Sequence, residues 1–437
     1  DPDYATANWG NIGAGVTFDV ICGAAARTNW HVATTGSDIT GSGTLASPLS
    51  SIQTAINATT DGDTVSVAAG TYVENLVFGG KNLSLIGADS SNTIIDGDSV
   101  SQVINLQNGE DSTTVIKNFT LRNGTGWENN GSAILMDGGD YGPKLENLCI
   151  TQNYDNAITS FGSTFSLKNS RIINNYSRPL SIQQTQLSTI DNVIISGNAN
   201  GIKVITASPT FTNVTISNNG GFAIFIQTGN FTLKNTLIAG NVGGVFTENS
   251  GSLTMINSNI VSNTGRPLEF VRGGSGIIIN SIISNNTNPV ILLDDDVQSS
   301  VYFSHNNIEG GSASIYNDDG GTLSWGSGNI DVNPMFVDTA NGNYHLLASS
   351  MLTNAGHPDS TDSDGTRSDI GAYPYLNDYT GPTWYVETPG NDVTGTGSIG
   401  EPFASIQSAI NFATTDGDSV TVSEGTYVEN INFRGRN

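Results

Sequence analysis

Residues 213–241 read NVTISNNGGFAIFIQTGNFTLKNTLIAGN, and this stretch contains the pattern that decides the fold. Two similar segments begin at Asn213 and Asn235, and short runs of β-branched and aromatic residues lie between them. Turns rich in Asn, Gly, Ser and Thr separate these runs. Alternation with a period of two residues favours β-strands, and the apolar spacing of a helix is absent. The stretch therefore predicts several short strands joined by tight turns.

The same segment, N-x-x-[I/L]-x-x-[N/G], recurs at nearly constant intervals through the middle of the chain. Its first residues are Asn118, Asn147, Asn169, Asn192, Asn213, Asn235, Asn257 and Asn280. A period of about 22 residues with two or three strands and no helix is typical of a parallel β-helix, whose coils stack about 4.8 Å apart. We therefore predict an all-β solenoid of about 12 coils.

Within each repeat, two positions have a predicted structural role. The isoleucines three residues after the segment start should point inward and stack as an aliphatic column. The asparagines six residues after it should form a hydrogen-bonded ladder at a turn, since each side-chain amide offers both donor and acceptor to neighbouring coils. We expect these ladder residues to adopt the left-handed turn conformation. They are Asn153, Asn175, Asn198, Asn219, Asn241, Asn263 and Asn286.

A second repeat operates over a much longer distance. Residues 384–437 repeat residues 30–82, and more than half of the aligned positions are identical. Residues 48–59 place Pro48 at the start of a short amphipathic helix, with Leu49, Ile52 and Ile56 on one face, which suits a cap over the first coil. The predicted divisions are an N-terminal extension (1–29), a capping segment with this helix (30–63), the β-helix (64–326), an irregular closing segment (327–379) and a partial second copy of the N-terminal module (380–437).

Composition and charge exclude several classes of function. The chain has 40 acidic and 15 basic residues, a net charge of -25, and only 13% charged residues in total. Nucleic acids and anionic membranes need a basic face, so they are poor partners. No apolar run approaches the roughly 20 residues of a membrane-spanning helix. Cys22 and Cys149 match no metal-binding spacing, and two alternatives stay open: they form a disulfide, or they are separate buried thiols.

Both ends of the predicted β-helix resemble a known class of proteins. WHVATTGSD (30–38), SIQTAIN (51–57) and DGDTVSVAAGTYVEN (61–75) resemble secreted bacterial right-handed parallel β-helix proteins of the pectin-lyase-like class. NIDVNPMF (329–336) and DSDGTRSDIGAY (362–373) are similar to the stretch that precedes an anchoring or sorting domain in surface proteins. The resemblance covers about residues 30–375 and implies a right-handed fold and an exported location. The N-x-D, D-D and R-x-K constellation of the enzymatic polygalacturonases is absent, so the resemblance implies no activity.

One strand of each coil provides the candidate ligand-binding residues. If Leu180, Ile182, Ile224, Ile226, Leu268 and Phe270 point inward, strand alternation sends Ser181, Phe225 and Glu269 outward. The predicted binding residues are Lys203, Phe225, Glu248, Glu269 and Arg272. Phe225 could serve as a platform for a sugar ring. Coil spacing could also bring Glu248 and Glu269 to the separation that glycoside cleavage requires. The competing interpretation is a set of solvated strand residues.

The tract DSTDSDGTRSD (359–369) provides a candidate calcium site. Asp362, Asp364 and Asp369 supply oxygen ligands at alternating spacing, but the distal Glu of an EF-hand is missing. Clustered carboxylates are costly without a cation, so calcium is the cofactor that the sequence suggests, with no organic cofactor.

These observations favour an extracellular or cell-surface β-helix that acts as a structural or adhesive module. Its expected partners are a surface glycan, a surface protein, or a second copy of itself, bound head-to-tail through the repeated terminal segment into a filament. The other interpretation of that segment is that the chain is a fragment of a longer tandem array. The alternative is a polysaccharide-degrading enzyme, a lyase or glycoside hydrolase that acts on the outer sheet face. No nucleic-acid partner and no membrane span are expected.

Overall fold

The computed structural model describes residues 28–126, 131–138, 142–185, 187–294, 298–318 and 320–435. The predicted extension at residues 1–29 therefore lies almost entirely outside the described residues, and so does Cys22. Cys149 is half-buried in a strand.

Short strands occupy most of the described chain, in the following order. The first are β1 (Asn29–Val32), β2 (Thr64–Val67), β3 (Gly70–Val73), β4 (Leu76–Val77), β5 (Ser84–Gly87), β6 (Thr93–Asp96), β7 (Ile104–Leu106), β8 (Val115–Lys117), β9 (Thr120–Arg122), β10 (Ile134–Asp137), β11 (Lys144–Glu146) and β12 (Cys149–Thr151). They are followed by β13 (Ile158–Phe161), β14 (Ser166–Ile173), β15 (Leu180–Gln183), β16 (Thr189–Ser196), β17 (Ile202–Ile205), β18 (Thr210–Thr212), β19 (Thr215–Ser217), β20 (Phe222–Lys234), β21 (Leu237–Ala239), β22 (Gly243–Ile256), β23 (Asn259–Val261) and β24 (Leu268–Phe270). The last are β25 (Ser275–Ile279), β26 (Ile282–Ser284), β27 (Ile291–Leu293), β28 (Ser300–Ser304), β29 (Asn307–Ile308), β30 (Ile315–Asn317), β31 (Thr322–Trp325), β32 (Phe336–Asp338), β33 (Asn343–Leu346), β34 (Thr383–Val386) and β35 (Ser419–Val422).

Strands β1 to β31 form three parallel sheets that wind around one core. The first sheet runs through β1, β2, β5, β8, β11, β14, β16, β18, β20, β22, β25, β28 and β31. The second sheet runs through β3, β6, β9, β12, β14, β16, β19, β21, β23, β26 and β29. The third sheet runs through β4, β7, β10, β13, β15, β17, β20, β22, β24, β27 and β30. The long strands β14, β16, β20 and β22 each turn a corner and so contribute to two sheets. The predicted right-handed parallel β-helix is confirmed, with about 11 turns instead of about 12.

The core consists of in-register columns of inward side chains. The isoleucines expected to point inward pair from coil to coil, and each is at most 2% exposed. They are Ile150, Ile172, Ile195, Ile216, Ile238, Ile260 and Ile283. Phe211 and Phe231, also in the core, pack with tilted rings whose centroids are 4.8 Å apart. Removing this apolar surface from water is the main stabilising term for such a solenoid.

Single left-handed residues turn the chain at two corners of each coil. At the first corner, between the first and second sheets, this residue is the asparagine that starts each repeat, such as Asn213 (φ 54°). At the second corner, between the second and third sheets, it precedes the ladder asparagine, as Asn218 (φ 54°) precedes Asn219. The expectation that ladder asparagines are themselves left-handed is therefore wrong. The tight bend comes one residue earlier, which leaves the ladder side chain free to point into the coil.

The capping helix forms where the sequence predicts it, although it begins later than Pro48. Helix α1 (Ile52–Ala58) is capped by Ser51, whose hydroxyl accepts from the Thr54 N–H, and it buries Ile52, Ala55 and Ile56. The Glu74 carboxylate accepts the N–H groups of Ile52 and Gln53, both at 2.8 Å. These bonds satisfy donors that a helix start otherwise leaves unpaired. No helix in the described part of the chain is long and apolar enough to cross a bilayer.

The closing segment, residues 327–379, covers the outer face of the second sheet and does not lie across the end of the solenoid. Its Tyr344, Leu346, Leu352 and Ile370 pack on outward residues of the sheet, Leu237, Ala239, Val261 and Ile282. It contains the antiparallel pair β32 and β33. Residues 329–332 still follow the coil path. Beyond them the 22-residue rhythm stops, because the chain leaves that path and runs back along the body.

The repeated terminal module folds like its N-terminal counterpart. Helix α2 (Ile406–Phe412) follows β34 and precedes β35, and Glu429 accepts its first N–H groups as Glu74 does for α1. Trp384, Phe403 and Phe412 form a small core that Tyr375 and Ala348 of the closing segment complete. In the N-terminal module β2 also pairs with β5, whereas β35 pairs only with β34 among the described residues.

Candidate functional site

The asparagines at the second corner form a continuous side-chain ladder. From Asn153 to Asn286, each Nδ2 donates to the Oδ1 of the next asparagine at 2.8–3.1 Å. The same Oδ1 atoms also accept the backbone N–H of the preceding ladder residue, as Asn241 Oδ1 does from Asn219 at 2.9 Å. All seven residues are nearly or fully buried. These side chains are occupied in holding coils together and face no ligand.

A second ladder, which sequence reasoning missed, lies at the first corner. Thr236, Ser258, Ser281, Asn306 and Asn329 are linked by backbone N–H groups that donate to the side-chain oxygen of the next coil at 2.9–3.2 Å. The residue type changes from Thr to Ser to Asn along this ladder. A search for a single conserved letter at a fixed period does not detect such a mixed set, although every member carries an oxygen acceptor.

The outer face of the third sheet carries the predicted binding residues Lys203, Phe225 and Glu269. Register places Lys203 next to Phe225, Phe225 next to Phe246, and Phe246 next to Glu269. The six residues expected to point inward are buried in the core. Phe246, which sequence reasoning missed, lies parallel to Phe225 with an interplanar angle of 5° and centroids 5.4 Å apart. The rings of Phe222 and Phe246 have centroids 5.0 Å apart, so Phe222 extends this half-buried aromatic surface.

The two acidic candidates are each paired with a different arginine. Glu248 accepts from Arg272 at 2.7 Å, and Glu269 accepts from Arg266 at 3.4 Å. Glu269 lies beside Phe246 and not beside Glu248, so the two carboxylates occupy different columns of the sheet. Burial raises the pKa of Glu269, and the guanidinium of Arg266 opposes that shift. Because each carboxylate is paired with its own arginine, the two acids are suited to lining a binding surface.

Arg178 and Arg266 are half-buried at the edge of this face. Arg178 donates to the Gly201 carbonyl at 3.4 Å, and burial lowers the pKa of its guanidinium. Arg266 makes the ion pair with Glu269. Both residues precede a proline that leads directly into a third-sheet strand, which draws the side chain in against the sheet. The charged residues at the edge of this face therefore include Arg178 and Arg266 in addition to the residues predicted from the sequence.

The three predicted calcium ligands lie in one loop of the closing segment. Asp369 is buried, and its two oxygens accept the N–H groups of Asn354 at 2.6 Å and Tyr375 at 2.7 Å. Asp362 accepts the Asp369 N–H, and Asp364 accepts from Thr366 and Asn377. Burial raises the pKa of Asp369 to about 8 and that of Asp362 to about 6.

This donor set fits loop bracing better than calcium. Backbone N–H groups occupy carboxylate oxygens that a calcium ion would need as ligands. No group of three or more His, Cys, Asp or Glu side chains within the described ranges is arranged to hold a metal ion. Calcium binding by Asp362, Asp364 and Asp369 stays a prediction.

Chelation tests that prediction directly. If the three carboxylates bind calcium, EGTA should lower the melting temperature, and added calcium should restore it. Loss of a ligand present at 100 times its Kd costs about 2.7 kcal/mol of stability. The variant Asp364→Asn should then melt at the same temperature with and without EGTA. A melting curve of the unmodified chain that EGTA leaves unchanged would assign the carboxylates to loop bracing alone.

Comparisons with known proteins agree with this architecture. The family described as a right handed beta helix region matches residues 180–333. No curated protein matches the chain. Among solved structures, the pectate lyase Pel9A is 15% identical and superposes with a TM-score of 0.56 over 80% of this chain and 97% of its own. A XylC complex with xylose (11%, TM-score 0.43, covering 71% and 87%) and the A-module of the Azotobacter vinelandii mannuronan C-5 epimerase AlgE6 (17%, TM-score 0.41, covering 65% and 94%) are more distant. The comparisons therefore establish the fold, a right-handed parallel β-helix shared with that pectate lyase.

Proposed function

We propose that this protein is an extracellular structural and adhesive β-helix module that binds a glycan on the outer face of its third sheet. The observation that carries the proposal is the parallel, half-buried pair Phe225 and Phe246 on the outer face of the sheet. Exposed stacked aromatic rings offer flat apolar surface, to which the C–H face of a sugar ring can bind. Large apolar side chains in a row on a sheet face otherwise favour aggregation, so their presence calls for a partner.

The surroundings of the aromatic pair support a polysaccharide as this partner. Lys203 on one side and Glu269 with Arg266 on the other provide polar groups at both ends of the row. Such groups fix the orientation of sugar hydroxyls over an apolar platform. The net charge of -25 disfavours a strongly anionic polymer at long range. A neutral surface polysaccharide is the best match, and such a partner supports a location outside the cell or at the cell surface.

Binding to neutral polysaccharides tests the proposal. In affinity electrophoresis through gels that contain cellulose derivatives, xylan, mannan or starch, at least one polymer should retard the full chain. Phe225→Ala with Phe246→Ala should weaken that retardation by about tenfold or more, since two aromatic contacts of roughly 0.5 to 1.5 kcal/mol each together reach the ~1.4 kcal/mol of a tenfold change. Phe161, which is 40% exposed on β13 of the same sheet, provides the matched control Phe161→Ala. Retardation by none of the polymers, or equal loss in the control, would contradict the assignment.

Head-to-tail self-association through the terminal module is a further part of the proposal. Phe433 is 65% exposed and Ile431 is 42% exposed, while their counterparts in the N-terminal module, Phe78 and Leu76, are at most 1% exposed. A heterologous contact of this kind repeats without closing and gives filaments.

Light scattering and negative-stain microscopy test the self-association. The full chain should form concentration-dependent filaments, and Ile431→Ser with Phe433→Ser should give a monomer at the same concentration. Val73, which is 63% exposed in the N-terminal module, provides the control Val73→Ser, which should still assemble. Monomers for the unmodified chain at every concentration would remove this part of the proposal.

A further inference from the structure

A cleft lies between the first corner of the solenoid and the closing segment, away from the third sheet. Its volume is about 540 Å³, within the usual range of ligand sites. Asparagines of the first corner line one wall, and Thr361, Asp362 and Tyr373 of the closing segment line the other. Of these residues, only Asp362 has an assigned role above, as a candidate calcium ligand.

The solenoid wall presents side-chain amides at regular spacing. Asn192, Asn213, Asn235 and Asn257 occur once per coil, about 4.8 Å apart along the axis. Asn235 donates to Asn213 and Asn213 donates to Asp191, both at 3.3 Å. Each amide carries two N–H donors and two acceptor lone pairs, so these bonds leave unused groups on every coil. The first three asparagines are exposed and can reach a ligand.

The cleft also contains a polar atom without a partner. Oδ1 of Asn257 is buried and accepts no hydrogen bond from the described residues. Buried acceptors of this kind are rare in folded proteins and normally bond to water or a ligand. The opposite wall supplies Tyr373, whose ring stacks on His345 at 4.6 Å and whose hydroxyl bonds to Thr215. A fixed aromatic ring and a row of amides thus line the same cleft.

From this arrangement we propose that the cleft binds a neutral oligosaccharide, as a site separate from the third-sheet face. Amide groups match hydroxyls that both donate and accept, and an aromatic ring matches the apolar face of a sugar. The spacing of the amides along the axis is comparable to the length of one pyranose unit. The cleft lining includes the carboxylate of Asp362 and no Lys, Arg or His, which disfavours anionic sugars.

Calorimetric titration of the full chain tests this site. Cellohexaose, xylohexaose, mannohexaose and maltohexaose are the neutral probes, and hexagalacturonate is the charged one. The titrations use the Phe225→Ala, Phe246→Ala variant, which removes the third-sheet platform and isolates the cleft. We expect at least one neutral probe to bind and hexagalacturonate not to bind. Asn213→Gly in that background should weaken binding about tenfold, since it removes hydrogen bonds to the ligand.

The glycine substitution suits this corner because Asn213 is left-handed (φ 54°), a conformation that glycine adopts freely. Asn147→Gly is the matched control, since Asn147 has φ 51° at the same corner but does not line the cleft. It should leave binding unchanged. The proposal is overturned if no neutral probe binds the background variant, if hexagalacturonate binds, or if the control weakens binding equally. Loss of all binding with the phenylalanine pair alone would refute the cleft and support the third-sheet site. Full retention of binding in the Phe225→Ala, Phe246→Ala variant, with loss of binding when Asn213→Gly is added, would support the cleft and refute the third-sheet site.

Discussion

Replacement of Asn219 by Ala should lower the free energy of unfolding by about 3 kcal/mol, because it leaves several buried polar groups without partners. Asn219 Oδ1 accepts from the side chain and the backbone N–H of Asn198, at 2.9 and 3.0 Å. Its Nδ2 donates to the carbonyl of Ile195 and to Asn241 Oδ1, both at 3.0 Å. The substitution interrupts the ladder in the middle, where neither water nor another side chain can replace the amide. Urea unfolding followed by circular dichroism measures the effect.

Asn230→Ala is the control for this substitution. Asn230 lies on strand β20 of the same solenoid but is exposed. Its hydrogen bond to Ser208 comes from the backbone N–H, which the substitution retains. Its replacement should change the free energy of unfolding by less than about 0.5 kcal/mol, as is usual for surface sites. Equal unfolding midpoints for the two variants would show that the asparagine ladder does not hold the coils together.

Phe231→Ala should destabilise the protein by about 3 to 5 kcal/mol, the usual cost of a large cavity in a core. Phe231 is fully buried and packs against Phe211 in the adjacent coil. Phe225 lies on the same strand, β20, but points outward. Phe225→Ala should therefore leave the unfolding midpoint nearly unchanged while it weakens glycan binding.

This pair of substitutions separates structural from functional aromatic residues on one strand. Thermal unfolding and affinity electrophoresis of both variants provide the two measurements. If Phe225→Ala unfolded as early as Phe231→Ala, its ring would be part of the packing, and the third-sheet platform would lose its support as a binding surface.

Much of the fold could be predicted because each coil repeats the same local chemistry. The period located the inward Ile216 and the ladder Asn219 without any structure, since both positions recur in every repeat. The left-handed turn was assigned one residue too late, to Asn219 and not to Asn218, because both are asparagines and either can adopt it. Capping by Glu74 was not predicted either, because it depends on a contact 22 residues away.

The candidate site was less accessible to sequence reasoning. Phe225 was found by strand alternation, but its partner Phe246 was not. The third-sheet segment that contains Phe246 is offset by one residue from the mean period of the repeat. The ion pair between Arg266 and Glu269 could not be predicted, because it depends on the direction of the turn before β24, which Pro267 sets. The path of the closing segment has no periodicity at all, so the cleft that it forms with Asn213 and Asn235 could not be predicted.

The course of the closing segment has a mechanical consequence. Hydrogen bonds between coils run parallel to the solenoid axis. A tensile load along that axis would therefore separate the coils one after another. The closing segment is anchored to several coils at once: His357 N–H donates to Asn280, Ala372 N–H donates to Asn259, and Tyr373 bonds to Thr215. Opening any of these coils must also shear the segment along the second sheet. We therefore expect the closing segment to act as a longitudinal brace, so that under load these coils open together and not one after another.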